Sequence, residues 1–303
     1  MLVDVHQHVW TAPLVDALAS RQSLPFIVRT DGLCVLHSAG ERPCVIDLGG
    51  ETPARRAQLL ADDRLDVAVV AISSPIGIEA LPREGADQLI EAHLDGVSGL
   101  GDDFAAWGPL ALDGCDPDDV DILLERGCVG ISLPAGAFAG GEALDAIGPL
   151  LDRIAAREVP LFVHPGPAHA SVQCEAALTE PVWWRALTDY VAQMQAAWLT
   201  FATRGRRAHP ELIVVFAMLA GGAPLLTERL DARGGPAIDL GDTRSFYDTS
   251  SYGPSAVQAM ARRVGAAQLV YGSDRPVVEP LTNGDASLQA NSARLLATRR
   301  GAA

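Results

Sequence analysis

The 303-residue chain contains no lysine; all 23 of its basic residues are arginine. That absence excludes a Schiff base to a substrate carbonyl or to pyridoxal phosphate, because both need a lysine amine. It excludes a Walker-type phosphate loop, whose lysine is part of the motif, and a carbamylated lysine bridging two metal ions. Positive charge is scarce too. Against 23 arginines stand 38 acidic residues, a formal net charge of −15. So acidic a chain lacks the basic stripe of a phosphate-backbone binder. The tightest arginine group, Arg204, Arg206 and Arg207, reads as a solvated helix end, and no nucleic-acid partner is expected.

Cysteine is sparse. Cys34, Cys44, Cys115, Cys128 and Cys174 are odd in number and show no C-x-x-C spacing. They read as reduced thiols in a cytoplasmic protein, not as a disulfide frame or a zinc knuckle. No apolar stretch reaches the roughly 18 residues of a membrane helix without Gly, Pro or charge interrupting it, so no membrane partner is expected. The opening MLVDVHQHVW shows neither region of a secretory signal. A Gly-rich dinucleotide fingerprint is missing, as is any short internal repeat. Hydrophobic content of 49% with 20% charge is that of a core-forming chain.

What the sequence does have is alternation. Short β-rich apolar runs fall at 2–9, 66–73, 105–111, 129–133, 160–164, 212–217, 246–249 and 268–271. Most are continuously apolar, which suits parallel strands buried on both faces. Helical patterns lie between them, at 52–63, 85–97, 117–125, 141–157 and 255–264. The third opens Asp116-Pro117-Asp118-Asp119: a cap, a proline at the first helical position, then acids facing the positive helix end. The pattern predicts an α/β protein in which residues 1–303 form a single (β/α)8 TIM-barrel domain. Two departures are expected at the C-terminal face, where barrel active sites form. Residues 24–50 hold short β-like pieces at 26–29, 33–37 and 44–47, a small antiparallel insertion after the first strand. Residues 176–207, with Trp183, Trp184, Trp198 and Phe201, form a long helical excursion after the fifth.

The first chemical signal is Asp4-Val5-His6-Gln7-His8. Residues i and i+2 of a strand share a face, so His6 and His8 would both project into the barrel mouth, where paired imidazoles suit a divalent metal such as zinc. A lone His-x-His also arises by chance. His164 closes the apolar fifth strand, and by itself would read as a hydrogen-bonded core histidine. Asp274 follows the eighth strand, and by itself would read as a turn residue. Together they place three histidines and an aspartate at the C-terminal ends of strands one, five and eight, positions from which barrel enzymes draw their chemistry.

With these residues in that order the chain resembles the amidohydrolase superfamily, in the branch that includes aminocarboxymuconate-semialdehyde decarboxylase and related aromatic-acid decarboxylases. The resemblance spans nearly the whole chain. It is carried by Asp4 to His8, Val163-His164-Pro165, His209-Pro210-Glu211-Leu212, Gly221-Gly222-Ala223-Pro224 and Gly272-Ser273-Asp274-Arg275-Pro276. It implies one divalent metal ion, zinc by its donors, held by His6, His8, His164 and Asp274. The missing lysine fits, because dinuclear superfamily members commonly use a carbamylated lysine bridge. In several relatives an arginine from a partner subunit enters the site, so the resemblance also admits a homodimer.

One position departs. The branch usually carries a histidine at the end of strand six, six residues before the proline of the Gly-Gly turn, and here that position is Met218. Methionine cannot transfer a proton. His169, near the fifth-strand loop, either substitutes for it or is an exposed loop histidine.

Two reactions are open on the same ligands, both on a small carboxylated or cyclic molecule. Hydrolysis, the leading expectation, would use metal-activated water with Asp274 as general acid and base. Decarboxylation of an aromatic or unsaturated carboxylic acid is the alternative, with Asp274 delivering a proton to the carbon that loses CO2. A catalytically impaired small-molecule-binding barrel is a third reading. Trp10, Trp183 and Trp184, with Met218, are candidate substrate contacts; the tryptophans either wall the mouth or pack the excursion against the barrel. Arg275 either pairs with a substrate carboxylate or pins its own loop.

Overall fold

The computed structural model describes residues 1–39, 41–170, 179–281 and 286–297. Cys174 and residues 176–178 of the expected excursion lie outside them. Eight parallel strands form the main sheet: β1 (Val3–Gln7), β5 (Val67–Val70), β6 (Phe104–Pro109), β7 (Gly130–Pro134), β8 (Leu161–His164), β9 (Val214–Phe216), β10 (Ser245–Asp248) and β11 (Leu269–Val270). Each expected run overlaps one of them, and no strand extends more than one residue beyond its run. Adjacent strands in the chain pair in parallel around the sheet. The ring closes just beyond the short β11, where Tyr271 O accepts from Val5 N at 2.9 Å and Gln7 bridges to Arg275. This is the (β/α)8 barrel that the alternation predicted. β1, β7 and β8 are buried along their whole length, as parallel strands covered by helices must be.

The insertion is also present. β2 (Phe26–Thr30), β3 (Leu33–His37) and β4 (Cys44–Ile46) form an antiparallel three-stranded sheet in the order β2-β3-β4. After β8 the excursion runs through the helices Trp184–Leu187 and Asp189–Thr200 and a π-turn at Phe201–Gly205. The insertion is tied to it at Glu41, which accepts from Tyr190 Oη and lies 3.4 Å from Arg185.

Several helices differ from expectation. The pattern at 141–157 is two helices, Gly141–Ala146 and Gly148–Ala156, because Gly148-Pro149 breaks the first and starts the second. Ala12–Ala19 and Ala286–Ala297 are helices that the pattern did not show. The latter supports the short β11: Ser292 Oγ accepts from Tyr271 N, and Asn291 donates to Leu269 O. Asp116 caps its helix as expected, accepting from Asp118 N at 2.9 Å while Asp119 reaches back to Asp116 N. Arg206 is no solvated helix end. It binds Asp242 at 2.8 Å and the carbonyls of His209, Pro210 and Leu212, closing the turn into β9. Among the described residues no helix is long and apolar enough to cross a membrane.

The barrel interior is filled by aromatic rings. Trp107 on β6 stacks on Phe162 of β8, centroids 5.1 Å apart and planes 13° apart. The Trp107 indole N–H donates to Val5 O at 2.8 Å. β1 is irregular at this point, its register to β5 shifting between Asp4 and Gln7. Such a bulge turns a carbonyl out of the ladder, and the indole satisfies it inside the barrel.

Candidate metal centre

His6 on β1, His8 just past its end and His164 at the end of β8 meet above this aromatic floor. Their donor atoms lie within 4.8 Å of one another, and all three residues are buried. The rings stand nearly perpendicular in pairs, with centroids 4.9–5.1 Å apart. His6 packs edge-on to Phe162 at 5.1 Å.

The other ring nitrogens explain the orientation. His6 Nδ1 faces Asp248 Oδ2 at 2.6 Å, His8 Nδ1 faces Ala71 O at 2.9 Å, and His164 Nδ1 faces Pro165 O at 2.9 Å. With each Nδ1 proton directed to an acceptor, each Nε2 is left with a lone pair. His6 Nε2 and His8 Nε2 are 3.1 Å apart, and Asp274 Oδ1 lies 3.3 Å from the latter and 3.6 Å from the former. Lone pairs and a carboxylate oxygen converging in a buried space require positive charge there, supplied by a proton or a metal cation. The donor set therefore fits the divalent ion that the sequence implied.

The electrostatics agree. Burial opposes charge on His6, but Asp248, with Asp274 and Asp4, outweighs it and pushes the ring's pKa up to about 9. Burial and the neighbouring charge of His6 and His8 drive His164 well below the usual imidazole range. Burial would raise Asp274, yet the imidazoles hold it down at about 2. It is an anion facing the shared point.

Met218 lies two residues past β9, at a turn of unusual backbone. Met218, Leu219, Ala220, Gly221 and Gly222 all have φ between 49° and 76°, one left-handed turn in sequence. Such a conformation costs about 1–2 kcal/mol for each non-glycine residue and persists only where its surroundings impose it. The helix Asp189–Thr200 does so here: Gln195 donates to Gly221 O at 2.9 Å, and a side chain at Gly221 would meet Val191 O at 2.7 Å.

The remaining candidates are placed elsewhere. Arg275 pairs with Asp63 at 2.8 and 3.2 Å and with Glu279 at 2.9 Å, so its guanidinium pins the loop carrying Asp274. Trp183 and Trp184 are 54% and 42% exposed, their ring centroids 5.7 Å apart. Trp10 is half-buried, its amide held by Glu51. His169 is exposed on the loop after β8. A cavity of about 120 Å³ opens between the insertion, the loop after β5, Gly166-Pro167 and the excursion at Tyr190 and Gln193. The three imidazoles are not on its wall.

Asp248, Ser250 and Ser251 went unnoticed in the sequence. Asp248 ends apolar β10 just as His164 ends β8, and that same criterion would have found it.

No protein-family model matches the chain, and no curated protein matches its sequence. Solved structures do match in fold. A 5-carboxyvanillate decarboxylase from Sphingomonas paucimobilis superposes with a TM-score of 0.73 at 17% identity, covering 98% of each chain. That of Novosphingobium aromaticivorans, solved with manganese and 3-methoxy-4-hydroxy-5-nitrobenzoic acid, gives 0.72 at 16% identity over 98% of this chain and 97% of that one. A 2,6-dihydroxybenzoate decarboxylase from Rhizobium gives 0.64 at 14% identity over 97% and 98%. At such identities the shared property is the fold.

Proposed function

We propose that the protein is a metal-dependent decarboxylase of the amidohydrolase superfamily acting on a small aromatic or unsaturated carboxylic acid. The observation that carries this is the convergence of three Nε2 lone pairs and Asp274 Oδ1 on one buried point. The decarboxylases that share the barrel supply the reaction class. His6, His8, His164 and Asp274 would hold one divalent ion; nitrogen donors suit zinc, and the carboxylate suits manganese as well. When bound, the ion supplies the charge that orients an anionic substrate oxygen.

The chain's own residues do the rest. Asp274, an anion at neutral pH, takes the proton of an incoming hydroxyl or carboxyl group on Oδ2, the oxygen turned away from the imidazoles. As the bond to the carboxyl group breaks, its electron pair stays on the ring carbon. That carbon takes the proton back from Oδ2, and CO2 leaves. Phe162 and Trp107 close the floor to water. Met218 offers no proton carrier to either reaction.

The test is CO2 release from 2,6-dihydroxybenzoate and 5-carboxyvanillate by protein loaded with manganese or zinc. Turnover that Asp274→Asn abolishes supports the proposal. Loaded protein that releases no CO2 from a panel of hydroxybenzoates but hydrolyses lactones or amides overturns it.

A further inference from the structure

We propose that Ser251 is a positioning residue that restricts Asp274 to a single coordinating oxygen. The inference rests on the metal reading above and adds how the carboxylate is presented. Asp274 Oδ1 faces His6 and His8, while Oδ2 accepts a hydrogen bond from Ser251 Oγ at 3.1 Å. A carboxylate can offer a cation one oxygen or both. A donor on one oxygen competes with the cation for that oxygen and fixes the rotation of the group, as hydrogen bonds behind a ligand generally do, while leaving it a second lone pair for a proton. A carboxylate limited in this way leaves more of the cation's shell to the substrate.

The backbone is shaped for this contact. Ser251 has φ 63° and Asp274 has φ 61°, both in the left-handed region that favours glycine. Were chain direction alone at stake, glycine would serve better at 251. Serine there carries a conformational penalty and supplies the hydroxyl that meets Oδ2. Asp274 is held from behind by its own amide, which donates to His6 O at 2.9 Å. That leaves the rotation of its carboxylate as the freedom for Ser251 to settle. The same segment serves the opposite side of the site. Asp248 holds His6 Nδ1, and Ser250 bonds both Asp248 and that ring nitrogen. Three residues within the four that run from the end of β10, Asp248, Ser250 and Ser251, thus orient a histidine and a carboxylate on either side of the shared point.

Cobalt(II) reads the difference directly, because its visible absorption is strong at low coordination number and weak at six. Wild type, Ser251→Ala and Ser251→Gly would each be titrated with cobalt(II) and their spectra and affinities compared. Wild type should give an intense band. Both variants should bind cobalt(II) with the band weakened several-fold, and to the same extent, because both lack the hydroxyl while only alanine keeps the backbone penalty. Variant spectra that superimpose on wild type overturn the proposal, as does a change in Ser251→Gly that Ser251→Ala does not share, which would mark a backbone effect. Wild type that binds no cobalt(II) overturns the metal reading and this inference with it, a result distinct from unchanged spectra in protein that binds the ion.

Discussion

Asp248 Oδ2 lies 2.6 Å from His6 Nδ1, with both side chains fully buried. Ser250 closes the arrangement, its amide and hydroxyl both on the Asp248 carboxylate. A carboxylate behind a ligating imidazole fixes the ring's tautomer and raises its basicity. Asp248→Asn keeps the shape and removes the charge. Its metal affinity should fall roughly 10- to 100-fold, measured by competition with a chelator. Affinity equal to wild type would mean that His6 does not ligate through Nε2.

Gly272 makes room for that pair. A side chain there would place its Cβ 2.2 Å from Asp248 Oδ1, 2.6 Å from Asp248 Cγ and 2.9 Å from His6 Cβ. None of these is the far end of a flexible chain, so the structure must shift. Gly272→Ala should cost about 1–3 kcal/mol in stability, as overpacking does, and should lower metal affinity as well. Denaturant unfolding of the metal-free protein separates the first effect from the second.

Trp107 prepares the site from below. Trp107→Phe keeps a ring over Phe162 but leaves Val5 O buried without a donor, a loss of about 1–3 kcal/mol. Because that carbonyl belongs to the irregular part of β1 just before His6, metal affinity should drop with stability. A variant as stable as wild type would show that the bulge holds itself.

Glu79 gives a pH signature of its own. Burial pushes its carboxyl up to about 7 against 4.5 in the open chain; Ser74 donates to one oxygen, and the other meets no protein donor. The folded protein thus keeps a proton that the unfolded chain has released. The resulting stability is complete below pH 4.5 and is lost as pH rises towards 7. Glu79→Gln should remove that slope and be the more stable protein at pH 8 by about 3 kcal/mol. Unfolding curves that run parallel from pH 4.5 to 8 would contradict it.

The parts legible in the sequence were those with a period or an end. Short β-rich runs, most of them continuously apolar, marked the barrel strands, because strands buried on both faces need not alternate. His164 was visible because it ends such a run, and Asp274 because it follows one. The helix Ala286–Ala297 was not, since its alanines, serines and asparagine carry little hydrophobic signal and its work is hydrogen bonding to β11. Arg275 stayed open between substrate ligand and loop pin because adjacency to Asp274 says nothing of Asp63, which reaches it from 212 residues away. The link from Ser251 to Asp274 spans two loops and has no sequence period at all.

Met218 is where the resemblance and the chain part company, so the exchange Met218→His tests both. Its left-handed turn is imposed by the helix Asp189–Thr200 and not by the methionine, so histidine can occupy the same backbone. If Asp274 alone now carries the proton, a second proton carrier should raise the rate of decarboxylation by about 10²-fold, the lower end for general acid–base catalysis. The gain should appear in kcat with KM little changed, because a proton carrier stabilises the transition state and not the bound acid. A rate that stays at the wild-type level, in protein that binds metal normally, would show that the site works without that histidine and that the position before the Gly-Gly turn has taken another role.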